Sequence, residues 1–216
     1  MSSRNILVLI SGNGSNLQAL IDASLNGELP AKISWVISSS STAYGLERAS
    51  NASIPTAIHE LKNYYKDIPK SDKKARSDAR KKFNLDLVNL ILNDKKNGKP
   101  DLIVCAGWML ILSPDFLAPL EKAKIPIINL HPSLPGKFDG INAIERSYKA
   151  GQEGEIDEGG CMIHKVIQEV DAGEPLVVKK INVVKGESLE SWENRIHQLE
   201  HVAIVEGTIK ALQELI

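Results

Sequence analysis

Two short clusters in this chain of 216 residues combine residue types at spacings that chemistry can use. Asn129 and His131 stand one residue apart at the end of the apolar run Ile125 to Leu130, which reads as a strand. Alternation along a strand places both side chains on one side, and Pro132 biases His131 toward the extended backbone that keeps them aligned. A lone histidine near a strand end is usually a satisfied surface or core residue. An amide and an imidazole side by side can instead donate hydrogen bonds to a developing oxyanion. Asp171, in the polar turn Glu169-Val170-Asp171-Ala172-Gly173, supplies a third group if that turn returns to His131. An ionised Asp171 would then favour the protonated imidazole. The sequence has no Gly-x-Ser-x-Gly elbow, neither cysteine is placed as a nucleophile, and no His-Glu-x-x-His motif offers a metal site. Direct attack by a substrate amine, without metal, remains as the simple acyl-transfer chemistry.

The second cluster is Ser11-Gly12-Asn13-Gly14-Ser15-Asn16, between a predicted strand and a predicted helix. Glycines there let the backbone turn tightly and aim free amides at an anion, and the helix dipole adds to the attraction. A dinucleotide site would want a small residue where Leu17 stands and an acidic residue where the second strand ends in Ser38-Ser39-Ser40-Ser41. No Lys-Ser/Thr pair follows, as a P-loop would require. A single phosphate is therefore a better guest than a pyrophosphate, and neither NAD nor ATP is expected; a purely structural turn is the alternative.

These clusters need elements to hold them. The run Ile6 to Ile10 reads as a buried central strand, Ile33 to Ile37 as a second, and Pro55 to Ile58 as an edge strand. Helices are predicted after Asn16, over Leu46 to Ala52, and from about Ser77 to Asn97 with Phe83, Leu87, Leu90 and Ile91 on one side. Asp101 to Gly107 is a further strand, and Ser113 with Pro114 opens a short helix to Leu120. Ile141 to Ala150 looks helical; Gly160 to Ile167 and Leu176 to Val184 read as antiparallel strands, and Ser188 to Ile216 as a closing helix. The expectation is one α/β domain, doubly wound and Rossmann-like, with a mostly parallel sheet. Its halves divide near residue 100, phosphate binding in about 1–100 and catalysis in about 101–216. Ligands bind such sheets beyond the carboxyl ends of the strands, where Ser11–Asn16, Gly107–Leu112 and Asn129–Lys137 converge.

A formal net charge of −1 gives no field for nucleic acid. The Lys-rich stretch Lys62 to Lys82 is a local exception, read as a solvated loop running into a helix. Cys105 and Cys161 lie in apolar runs and suit buried free thiols in a reducing compartment. No run approaches membrane-spanning length and no signal-peptide core is present, so the cytoplasm is expected.

Taken together, Ser11 to Leu20, Ala106-Gly-Trp-Met-Leu-Ile-Leu-Ser-Pro114, Asn129-Leu-His-Pro-Ser-Leu134 and Asp171-Ala-Gly173 resemble the phosphoribosylglycinamide formyltransferase family over essentially the whole chain. The resemblance implies the formyltransferase fold and transfer of a formyl group from 10-formyltetrahydrofolate to the amino group of 5'-phosphoribosylglycinamide, a step of purine synthesis. It implies catalytic Asn129, His131 and Asp171, and a phosphate held by the amides of Gly14, Ser15 and Asn16. It implies His197 near that phosphate and Glu200 at the amine. Met109, Leu110, Ile111 and Leu112 would line the pterin pocket with the turn Ile167, Gln168, Glu169, Val170 and Asp171, and Arg80 would lie near the folate tail. The partners implied are these small molecules, for a monomer or homodimer, with no nucleic acid and no membrane. Departures from the family pattern are Leu110 in place of an Arg, a Leu134-Pro135-Gly136 segment one residue short, Ile144 in place of a His, and a longer Tyr64–Lys82 region. The rival methionyl-tRNA enzymes carry a further C-terminal domain and a basic surface, and a non-catalytic nucleotide-binding module leaves Asn129, His131 and Asp171 unexplained.

Overall fold

The computed structural model describes residues 4–169 and 171–215. In chain order the elements are β1 (Arg4–Ile10), α1 (Ser15–Leu25), β2 (Ala31–Ser38), α2 (Gly45–Asn51), β3 (Thr56–Ile58), α3 (Leu61–Tyr64) and α4 (Lys73–Asn93). They continue with β4 (Leu102–Cys105), α5 (Pro114–Lys122), β5 (Ile127–His131), α6 (Ala143–Glu153), β6 (Glu158–Lys165), β7 (Pro175–Asn182) and α7 (Leu189–Gln213). The strands form one seven-stranded sheet in the order β3-β2-β1-β4-β5-β6-β7. β1 to β5 pair in parallel; β6 with β7 is antiparallel, as the absence of a helix between them predicts, and β5 with β6 is antiparallel as well although α6 lies between them.

The reason β1 is apolar from Ile6 to Ile10 is visible in its two faces. Ile6, Val8 and Ile10 pack into one core with Leu17, Leu20 and Ile204 of α1 and α7. Leu7 and Leu9 point the other way, into a second core with Phe83, Leu87, Phe116 and Trp35. A strand covered on both faces reads as a continuous hydrophobic run. Its order places a crevice beyond the carboxyl ends of β1 and β4, where the connections diverge to opposite faces.

Three expectations shift. α4 begins at Lys73, not Ser77, because the Asp72 carboxylate accepts from the Ala75 amide at 2.9 Å and caps the helix there. Its buried face is Phe83, Asn84, Leu87, Val88 and Ile91, while Leu90 is exposed. Asn84 is buried because its side chain accepts from the Ser113 amide at 3.1 Å. Ser113 precedes α5 as predicted, with Pro114 in the first turn, but its hydroxyl makes no cap bond.

Candidate active site

The crevice is a cavity of about 580 Å3. Its floor begins with the glycine turn. Gly14 has φ +74 and its missing Cβ would fall 2.6 Å from the Gly45 Cα, so only glycine lets the turn close on α2. The Gly45 amide donates to the Gly12 carbonyl at 3.1 Å. Arg48 then clamps the loop, its Nε donating to the Asn13 carbonyl at 2.9 Å and Nη2 to Asn13 Oδ1 at 3.0 Å. No side chain caps the start of α1, which leaves its first amides available to an anion in the cavity. Gly14, Ser15 and Asn16 all line it.

From α7, Glu193, His197 and Glu200 reach the same space. Glu200 is buried, and the Asn16 amide donates to its Oε2 at 3.1 Å. Burial pushes the Glu200 carboxyl up from its ordinary value against the smaller pull of that hydrogen bond and of His197.

At the tip of β5, Asn129 and His131 both line the cavity, as strand alternation requires. The turn after β6 does return: His131 Nδ1 lies 3.4 Å from Asp171 Oδ2. Asp171 sits at φ +56, a left-handed conformation costly for most non-glycine residues. The Gly140 amide donates to its Oδ2 at 2.9 Å. Gly173 makes that turn possible, because a Cβ there would meet the Lys165 carbonyl oxygen at 1.6 Å. Burial pushes the Asp171 carboxyl up, but hydrogen bonding from His164 and Gly140 and the nearby imidazoles outweigh it, so the net shift is downward. His131 goes the other way from the expectation of a charged imidazole. Burial lowers its pKa by more than the Asp171 charge raises it, so the imidazole stays neutral near pH 7. Its Nε2 is buried without a hydrogen-bond partner.

Met109, Leu110, Ile111 and Leu112 form one wall and Ile167, Gln168 and Glu169 another. Val170 lies outside the described residues. The two ends of the cavity are joined at Ser11, whose Oγ accepts from the Met109 amide at 2.9 Å and lies 2.6 Å from the Ser39 hydroxyl. Cys105 also lines the space, but burial pushes its thiol up to about 12, which agrees with a thiol that is no nucleophile. Among the described residues no group of acidic, Cys or His side chains could hold a metal ion, and no helix is long and apolar enough to cross a membrane.

Arg80 is not brought to the cavity. It is exposed on α4, and its Nε donates to the Tyr65 hydroxyl at 3.1 Å. Sequence reasoning missed His164. Antiparallel register sets it opposite Asn129, with Nε2 3.2 Å from the Asn129 amide and 3.5 Å from Asp171 Oδ1. Its Nδ1 lies 3.0 Å from the Lys165 carbonyl and donates to it. The expected antiparallel pair was β6 with β7, so the β5–β6 register that sets His164 opposite Asn129 had no signal in the sequence. Arg48 and the loop Gly140–Asn142 were missed as well, having no motif of their own.

Known proteins carry the same arrangement of sequence. The family model described as "Formyl transferase" matches residues 4–208. The phosphoribosylglycinamide formyltransferase of Saccharomyces cerevisiae is 54% identical, over 97% of this chain and 98% of that protein. The protein of that name from Escherichia coli is 34% identical over 91% of this chain and 82% of its own length. Among solved structures, glycinamide ribonucleotide transformylase 1 from Symbiobacterium toebii superposes with a TM-score of 0.78 at 30% identity, covering 98% of this chain and 88% of that one. Since the matched region includes every wall of the cavity and the likeness extends over nearly the full length of these relatives, the chain belongs to the formyl transferase family, among the phosphoribosylglycinamide formyltransferases.

Proposed function

We propose that this protein transfers the formyl group of 10-formyltetrahydrofolate to the amino group of 5'-phosphoribosylglycinamide, releasing the N-formyl product and tetrahydrofolate. The observation that carries the reading is one continuous cavity joining the glycine turn to Asn129, His131 and Asp171. The donor folate is a co-substrate; the apolar walls at Met109–Leu112 and Ile167–Glu169 suit a flat ring, with backbone groups free to read its edge. The phosphate belongs on the Gly14, Ser15 and Asn16 amides with His197 beside it, and Glu200 meets the amine end. Residues 1–100 thus supply the phosphate loop, and residues 101–216 the folate walls and the reacting groups.

In this mechanism the neutral amine attacks the formyl carbon, and the carbonyl oxygen becomes an oxyanion. The Asn129 amide donates to it. His131 is neutral before reaction, so its unpartnered Nε2 can take up the proton that the new N–C bond forces off the amine. The resulting imidazolium donates to the oxyanion while Asp171 opposite Nδ1 stabilises its charge. As the bond from formyl carbon to N10 breaks, that proton passes to N10, directly or through water. His164 holds the Asn129 amide and the Asp171 carboxylate in register. Holding two substrates in contact supplies much of the acceleration.

The test is to incubate the purified protein with both substrates and follow tetrahydrofolate release. No release above the rate without protein would refute the assignment.

A further inference from the structure

The cavity wall formed by Met109 to Leu112 has no helix or strand of its own. It lies in the segment 106–113 that joins β4 to α5. Leu110 and Leu112 pack against the core that holds Phe83 and Leu87, while Met109 and Ile111 are exposed. The amides and carbonyls of Leu110, Ile111 and Leu112 have no hydrogen-bond partner among the described residues. Among the described residues that line the cavity none is Lys or Arg. A ring against this wall is therefore read largely by backbone groups, and that reading depends on where the backbone is held.

Two side chains from other elements hold it. At one end Ser11 Oγ accepts from the Met109 amide at 2.9 Å. At the other, Asn84 Oδ1 accepts from the Ser113 amide at 3.1 Å, linking α4 to the residue that precedes α5. Asn84 is fully buried, on a helix face otherwise made of Phe83, Leu87, Val88 and Ile91. Its Nδ2 donates to the Arg80 carbonyl one turn earlier at 3.0 Å, which fixes the orientation of the amide. A leucine of the same branching would avoid the desolvation cost of a polar group here. The two hydrogen bonds offset that cost and select one register between helix and loop. The Ser113 hydroxyl caps nothing and is buried without a partner, so its backbone is what α4 holds.

We infer that Asn84 is a positioning residue for the folate wall. By holding the Ser113 amide it sets where the free backbone groups of Leu110 to Leu112 stand against the donor's ring. This rests on the function proposed above. Asn84 does not itself line the cavity, so it acts only through the loop.

The experiment uses Asn84→Leu, which keeps the number and branching of heavy atoms but accepts nothing, and Asn84→Asp, which keeps an acceptor for Ser113. Steady-state kinetics are measured for both substrates, and amide hydrogen exchange is followed by NMR without ligand. In Asn84→Leu, KM for the formyl donor should rise about tenfold with KM for the phosphorylated amine unchanged, and Asn84→Asp should lie between it and wild type. The Ser113 amide should be protected in the wild type and exchange about tenfold faster or more in Asn84→Leu, with the Met109 amide unaffected. A residue that merely fills the core would lower the melting temperature and leave the ratio of the two KM values alone. An unchanged donor KM in a folded Asn84→Leu, or equal rises in both KM values, overturns the inference and leaves formyl transfer standing. So does a wild type whose Ser113 amide exchanges as fast as those of Leu110 to Leu112, a result that decides even if neither variant folds. Failure of the wild type to turn over the donor removes the function and the inference together.

Discussion

At His131 two effects oppose each other, and the stronger one sets the chemistry. Burial disfavours the imidazolium more than the Asp171 carboxylate favours it, so the free site holds a base rather than an acid. Either His131→Ala or Asp171→Asn should lower kcat by about 100-fold or more, with circular dichroism and melting temperature close to wild type. Near-normal turnover in either purified variant would contradict the mechanism. Glu200 carries the opposite sign. Its carboxyl is pushed above the ordinary value of 4.5 by burial, so its folded state favours the proton. The stability this group contributes is fully present below the unfolded pKa and is lost as pH rises through the folded one. Glu200→Gln keeps an acceptor for Asn16 and removes that loss. Chemical denaturation should find the variant more stable than wild type at pH 8 and no more stable near pH 4, while KM for the phosphorylated substrate rises.

Among the elements, the turn between β6 and β7 is the most demanding. A methyl group at position 173 would occupy the space of the Lys165 carbonyl, and the Lys165 amide donates to the Glu174 carbonyl at 3.0 Å just beyond it. Gly173→Ala should cost about 3 kcal/mol by overpacking and displace Asp171, measurable as a lowered melting temperature together with lost turnover. Arg48→Ala should act at the other turn, raising KM for the phosphorylated substrate several-fold with kcat little changed, because Arg48 holds Asn13 without lining the cavity.

The elements also show what the sequence could and could not reveal. Period-two alternation was enough to put Asn129 and His131 together, and the change of pattern after Gly159 was enough to make β6 and β7 antiparallel. His164 needed more, since its position opposite Asn129 depends on register across two strands, which no local pattern encodes. The buried face of α4 was misread at Leu90 and missed at Asn84 because a polar side chain there serves a backbone amide on another element. Arg80 sits on the first half of α4, held by Tyr65, a contact set by how the preceding loop folds and not by helix spacing.

For the whole molecule, the histidines make stability a function of pH. Burial is the leading cause that lowers the pKa of His59, His131 and His201 below the ordinary 6.5. In the unfolded chain they take up protons near that value, while the folded chain resists. Their contribution is therefore present above about pH 6.5 and lost as pH falls toward the folded values. A series of melts should show the transition temperature dropping between pH 7.5 and 5.5, and flattening in a variant with His59 and His201 replaced by Gln. A transition temperature that holds steady across that range would contradict the assignment of buried neutral imidazoles.

The Ser11 hydroxyl has a consequence at this scale. One oxygen is shared by the loop that follows β1 and the loop that follows β4, so neither can settle around an occupant without moving the anchor of the other. Arrival of either small molecule should then prepare the second compartment. Because linkage is reciprocal, the factor by which the first tightens the second must equal the factor in the reverse order, and Ser11→Ala should bring both toward one.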